Sequence, residues 1–196
     1  MSNPEVEALC DQGQKALKER DHAAANDAFE DALALDPDCI DAHEGLAKVS
    51  YLDGDLTGAI TSYTKLTQLK PMDGRYYSNI GAIYNQLGEH QKACDVLRKS
   101  IQRDRKNAVS FYNLGIAQRK LKQNSLAVSA YKEAIKINPE MLEAYQNLGN
   151  TYKEMGNTQM AIINFKKAID LKPNFEKART ALGNTEILQH QKKNSF

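Results

Sequence analysis

The sequence predicts an all-α solenoid: five helical hairpins of 34 residues each, stacked in chain order and closed by a C-terminal helix. Three observations carry that prediction. Pro37, Pro71, Pro139 and Pro173 are separated by 34, 68 and 34 residues, so one period places all four, with Arg105 standing where a fifth would fall. Ala25, Ala59, Ala93, Ala127 and Ala161 follow the same period without a gap. Gly81, Gly115, Gly149 and Gly183 share it as well, with Gly13 in phase, beside the series Leu46, Ile80, Leu114, Leu148 and Leu182. Several residue classes repeating in one phase are the mark of a repeat architecture.

The prolines set the boundaries. Residues 1–5 form an N-terminal extension, residues 6–39, 40–73, 74–107, 108–141 and 142–175 are the five units, and 176–196 are a capping helix and tail. Within the fourth unit, Phe111, Leu114, Leu121, Leu126, Val128, Tyr131 and Ile135 recur at helical rather than strand spacing. Gly54, Gly88 and Gly156 fall between the two helices of their units, where glycine ends the first helix by taking a positive φ. Proline then closes the second helix. The small residue on the first helix is expected to face the in-phase alanine of the second, letting the two axes approach. After Pro173, Leu182 and Gly183 keep the phase before the chain turns polar, as the last layer of a solenoid must where it meets water. The final KKNSF is expected to fray.

Composition narrows the function classes. The chain has 196 residues, 41% hydrophobic and 26% charged, with a formal net charge of +1, which excludes disorder as the default reading. No apolar run approaches the roughly 18 residues of a membrane span. The start, MSNPEVEALC, lacks the basic-then-apolar order of a secretory signal, which points to a cytoplasmic protein. Cys10, Cys39 and Cys94 are widely spaced and form no CxxC pair, so neither a disulfide framework nor a zinc site is indicated. His22, His43, His90 and His190 are equally scattered. No nucleotide-binding, nucleophile-elbow or zinc-protease motif is present, and no cofactor is implied. The near-zero net charge conceals an asymmetry. Residues 1–73 hold 15 acidic and 6 basic residues, net −9, and residues 74–196 hold 10 and 20, net +10.

The order of residues within a unit resembles the tetratricopeptide repeat. It runs from an aromatic (Tyr77, Phe111, Tyr145) through Leu/Ile-Gly and Tyr (Tyr84, Tyr152) to Ala, Phe/Tyr (Phe29, Tyr63, Tyr131, Phe165), Ala (Ala32, Ala134, Ala168) and Pro. The departures are Gln12 and Ala16 in unit one and Leu97, Ser100 and Arg105 in unit three. The resemblance implies a right-handed superhelix whose first helices line a concave groove that recognises a protein or peptide ligand.

One row in that groove has a chemistry of its own. Asn79, Asn113 and Asn147 occupy the same position in three successive units. An amide carries both a donor and an acceptor, the complement of a peptide bond, and the row resembles the asparagine ladder of O-linked GlcNAc transferases. Arg75, Tyr112, Arg119, Lys120, Gln146, Asn150 and Lys153 lie on the same helices and make that end of the groove polar and mostly cationic, suited to an acidic peptide. The carboxylate clamp of chaperone-binding relatives is not reproduced, since Glu44 and Val109 stand where it needs lysine. Head-to-tail self-assembly of the acidic and basic ends into a homo-oligomer is the alternative to peptide capture. Nucleic acid is disfavoured, because RDRK at 103–106 is a short run without aromatic interleaving.

Overall fold

The computed structural model describes residues 3–193, and all regular structure among them is helical. The helices pair in order: α1 (Pro4–Glu19) with α2 (His22–Leu35), α3 (Ile40–Leu52) with α4 (Leu56–Leu69), α5 (Gly74–Gln86) with α6 (His90–Arg103), α7 (Ala108–Lys120) with α8 (Asn124–Ile137), and α9 (Leu142–Glu154) with α10 (Thr158–Leu171). α11 (Glu176–Lys193) follows alone, and the last three residues of the KKNSF tail lie outside the described residues. The first helix begins inside the expected extension, because Asn3 accepts a hydrogen bond from Glu5 N and Pro4 stands in the first turn, where no N–H is missed.

The turn inside each hairpin is the same in all five units, though the sequence marks only three of them with glycine. Gly54, Gly88 and Gly156 have φ near +80°, and Arg20 and Lys122 adopt the same left-handed conformation at the equivalent position. The next residue caps the second helix: the side chains of Asp21, Asp55 and Asn157 each accept a main-chain N–H three residues on.

Packing within the hairpin differs from expectation in one respect. A Cβ on Gly13, Gly81, Gly115 or Gly149 would meet Phe29, Leu97, Tyr131 or Phe165 at 2.4–2.6 Å. The glycine therefore makes room for the large side chain of the second helix, while the alanine series is buried beside it. Leu97 fills that place in the third unit without a ring. Ser100 and Ser110 are buried there with Ser78 in a hydrogen-bonded cluster: Ser100 Oγ donates to Gly74 O at 2.7 Å and lies 2.8 Å from Ser110 Oγ, which donates to Ser78 Oγ at 3.0 Å. The departures of unit three are thus satisfied locally rather than left as gaps.

First helices of successive units approach one another, as α1 with α3, α5 with α7, α7 with α9 and α9 with α11, whereas among the described residues second helices do not. The stack therefore curves, with the first helices on the inner side. α3 and α5 are the exception: among the described residues their backbones do not come together. Tyr76 accounts for the gap. The third residue of the unit is Ala8, Ala42, Ser110, Ala144 and Ala178 elsewhere, but at Tyr76 it is a buried ring that reaches Glu44 of α3. No helix among the described residues is long and apolar enough to cross a membrane.

Candidate functional site

The space that Tyr76 opens is a cavity of about 480 Å³ on the concave side. Glu44 and Lys48 come to it from α3, Tyr63 from α4, and Arg75, Tyr76 and Asn79 from α5. A second hollow of about 260 Å³ adjoins it and shares Tyr63 and Asn79, with Tyr51, Ala82 and Ile83 completing a mainly apolar lining. The rings of Tyr63 and Tyr76 sit 6.5 Å apart and form the wall between α3 and α5.

The polar groups around the cavity are tuned by burial and by one another. Tyr76 Oη donates to Glu44 Oε1, and burial followed by that carboxylate raises its pKa. Tyr63 is also raised by burial, with the neighbouring Asn79 amide opposing. Arg75 forks onto Asp73, Nη2 to Oδ2 at 2.7 Å and Nε to Oδ1 at 3.1 Å. That pairing holds the Asp73 carboxyl below the usual aspartate value. Lys48 is exposed and makes no ion pair among the described residues.

Of the residues singled out in sequence, Arg75 and Asn79 line this cavity, and Gln146 and Lys153 line a shallower hollow against α11 with Lys177, Thr180 and Asn184. The asparagine row shares a register but not an environment. Asn79 is exposed. Asn113 is only 9% exposed, and its main-chain carbonyl accepts from Asn85 Nδ2 at 2.9 Å, because α5 packs directly on α7. Asn147 donates through Nδ2 to Tyr112 Oη at 3.0 Å, so that amide proton and that phenol are committed to each other. Arg119 is half-buried and paired with Glu154 at 2.7 Å, while Lys120 is exposed and Asn150 half-buried.

Sequence reasoning missed Tyr51, Tyr63 and Tyr76 as groove residues, and weighed Glu44 only as a departure from the carboxylate clamp. The signal for Tyr76 was present: a large side chain at a register position held by Ala or Ser in every other unit. Tyr63 has no such signal, because Phe29, Leu97, Tyr131 and Phe165 in the same register are fully buried and it alone reaches the groove through the gap.

Comparison with known proteins agrees with this architecture. Models of the tetratricopeptide repeat match residues 10–71, 73–140 and 142–175. The small glutamine-rich tetratricopeptide repeat-containing protein 2 of Mycosarcoma maydis is 27% identical over 104 residues, which is 53% of this chain and 30% of that protein. The CTR9 homolog of Arabidopsis thaliana is 30% identical over 67 residues, 34% of this chain and 6% of that protein. This chain therefore spans only a small part of the curated relatives' length. Among solved structures, MamA superposes with a TM-score of 0.79 at 27% identity, covering 88% of this chain and 94% of that one. YrrB, described as a TPR protein with an unusual peptide-binding site, superposes at 0.74 with 19% identity, covering 88% and 89%. With one register running from α1 to α11 and repeat models matching almost without a break from residue 10 to 175, this chain belongs to the tetratricopeptide repeat family.

Proposed function

We propose that this protein is a non-catalytic interaction module that holds an extended peptide segment of a protein partner in its concave groove. The observation that carries the reading is the pair of adjoining cavities between α3 and α5, where Asn79 offers an exposed amide beside a tyrosine-lined hollow. A concave site with an apolar floor and a few convergent polar groups is the general form of a binding pocket. Acidic residues of the segment lie toward the C-terminal repeats, where Lys120 and Lys153 are exposed. The peptide-binding description of YrrB supports the same use of the fold here. Each hydrogen bond from the groove contributes about 0.5–1.5 kcal/mol net, so affinity rests on several contacts and is modest.

The test is selection of short random peptides on the folded protein, followed by titration against wild type and Asn79→Ala. Loss of one such bond weakens binding about 2- to 12-fold, with circular dichroism unchanged. Peptides that bind Asn79→Ala and an Arg75→Ala variant as tightly as wild type would place binding outside this groove.

The charge asymmetry favours a second reading, head-to-tail self-assembly of the acidic and basic ends. Such an assembly dissociates as salt rises, since screening acts within about 8–10 Å. A sedimentation profile that does not change between low and high salt counts against it.

A further inference from the structure

The chain's charge asymmetry reappears within the groove itself. The residues that line the concave hollows include the second, fifth, sixth, ninth and twelfth of a unit, as Arg75, Glu44, Asn79, Lys48 and Tyr51 show. At those positions α1 and α3 place Glu7, Asp11, Asp41 and Glu44 against the single Lys48. From α5 to α11 the same positions hold Arg75, Arg119, Lys153 and Lys177 against the single Glu143. Four acids with one base give way to four bases with two acids, Glu143 and the Glu176 that lines the hollow against α11. The reversal falls at the α3–α5 gap, where the apolar hollow of Tyr51, Tyr63, Ala82 and Ile83 lies.

Pairing within the chain takes up part of this charge. Arg75 and Arg119 are neutralised by Asp73 and Glu154. Glu7, Asp11 and Asp41 with Lys48 at one end, and Lys153 and Lys177 with Glu143 and Glu176 at the other, are exposed and make no ion pair among the described residues. A uniformly acidic peptide long enough to span the groove sets carboxylates against Glu7 and Asp41, and a uniformly basic one sets ammonium groups against Lys153 and Lys177. Like charges brought together this way are a means of rejection.

We propose that the groove selects a charge-segregated peptide. Its basic residues lie along α1 and α3, its acidic residues along α9 and α11, and one branched-aliphatic or aromatic side chain between them enters the hollow of Tyr51, Tyr63 and Ile83. This rests on the peptide-binding reading above and names the ligand class for it. An extended chain can lie in the groove in either direction, so both orders of the two charge blocks belong to the class.

The experiment is the same random-peptide selection, read for charge pattern, followed by titration of synthetic peptides sharing one central leucine: two opposite charge blocks, the same charges alternated, and all acidic. The segregated peptide binds about 4- to 25-fold tighter than the other two, as two surface charge contacts of about two- to fivefold each imply. That advantage collapses at high salt. The variant Glu7→Lys/Asp41→Lys, changed only at exposed positions, reverses the order in favour of the acidic peptide, and Tyr51→Ala weakens binding of the segregated peptide whatever the salt. Selected peptides that need Asn79 but are uniformly charged, or a charge-reversed variant with unchanged preferences, overturn this inference and leave peptide binding standing. A selection that enriches nothing overturns both.

Discussion

Replacing Tyr131 by phenylalanine should make the protein more stable. Tyr131 is fully buried, its ring lies over Gly115, and its hydroxyl has no hydrogen-bond partner among the described residues. A buried polar group left unpaired costs about 1–3 kcal/mol. Phenylalanine removes that cost while keeping the ring and leaves a void smaller than a water molecule, worth about 0.3 kcal/mol against the change. The net expectation is a gain of about 1 kcal/mol, or about 2–4 °C in Tm for a chain of this size. Urea unfolding followed by circular dichroism should show the midpoint rising with its slope unchanged. The repeat supplies its own controls, since Phe29 and Phe165 occupy the same register and Tyr63 occupies it with its ring facing the groove. Tyr63→Phe should change stability by less than about 0.5 kcal/mol, and Phe165→Tyr should lose about 1–3 kcal/mol by burying a new unpaired hydroxyl. If Tyr131→Phe instead lost 1 kcal/mol or more, the hydroxyl would have a partner in solution, with the neighbouring Arg119 guanidinium the first to test.

Four other outcomes follow from the packing. Gly149→Ala should cost about 1–3 kcal/mol, because its Cβ would lie 2.6 Å from Phe165, whereas Gly183→Ala, with nothing within 4 Å, should gain up to about 1 kcal/mol from helix propensity; thermal melts of both variants separate the two. Tyr76→Ala should cost about 3–5 kcal/mol and weaken any peptide that needs the α3–α5 cavity, read by urea unfolding and peptide titration together. Stability should be intact below pH 10 and fall as pH rises beyond it, because burial holds Tyr63, Tyr76, Tyr112 and Tyr131 above the ordinary tyrosine value of 10.0, so the folded state keeps protons that the unfolded chain gives up; urea midpoints across that range check the sign. Cys10 and Cys39, whose sulfur atoms are 3.6 Å apart, should join when incubated with a small disulfide oxidant, which leaves as two thiols, and Cys94 should stay free. Reaction should be slow at neutral pH, since burial first and then Cys39 push the Cys10 thiol up to about 12; peptide mapping that finds no Cys10–Cys39 link after long exposure at raised pH would contradict that proximity.

The repeat period was enough to determine the architecture. Proline, alanine and glycine in one phase place ten helices and three of the five turns inside the hairpins, because those residues act through local sterics: proline cannot continue a helix and glycine accepts a positive φ. The same register identified Arg75 and Asn79, which do line the main cavity. It also ranked Asn79, Asn113 and Asn147 as equals, and that equality was lost on folding. Packing of α5 on α7 covers Asn113, and Tyr112 takes up an amide proton of Asn147. Likewise Arg20 and Lys122 hold the turn conformation without glycine, since the helices on either side impose it. What only the tertiary structure decided is where the groove opens. A single large side chain, Tyr76, stands where its counterparts are small, and in a close-packed stack that volume must be accommodated by moving α3 from α5. Register is a property of the chain and repeats along it; free space depends on the side chains of neighbouring units taken together.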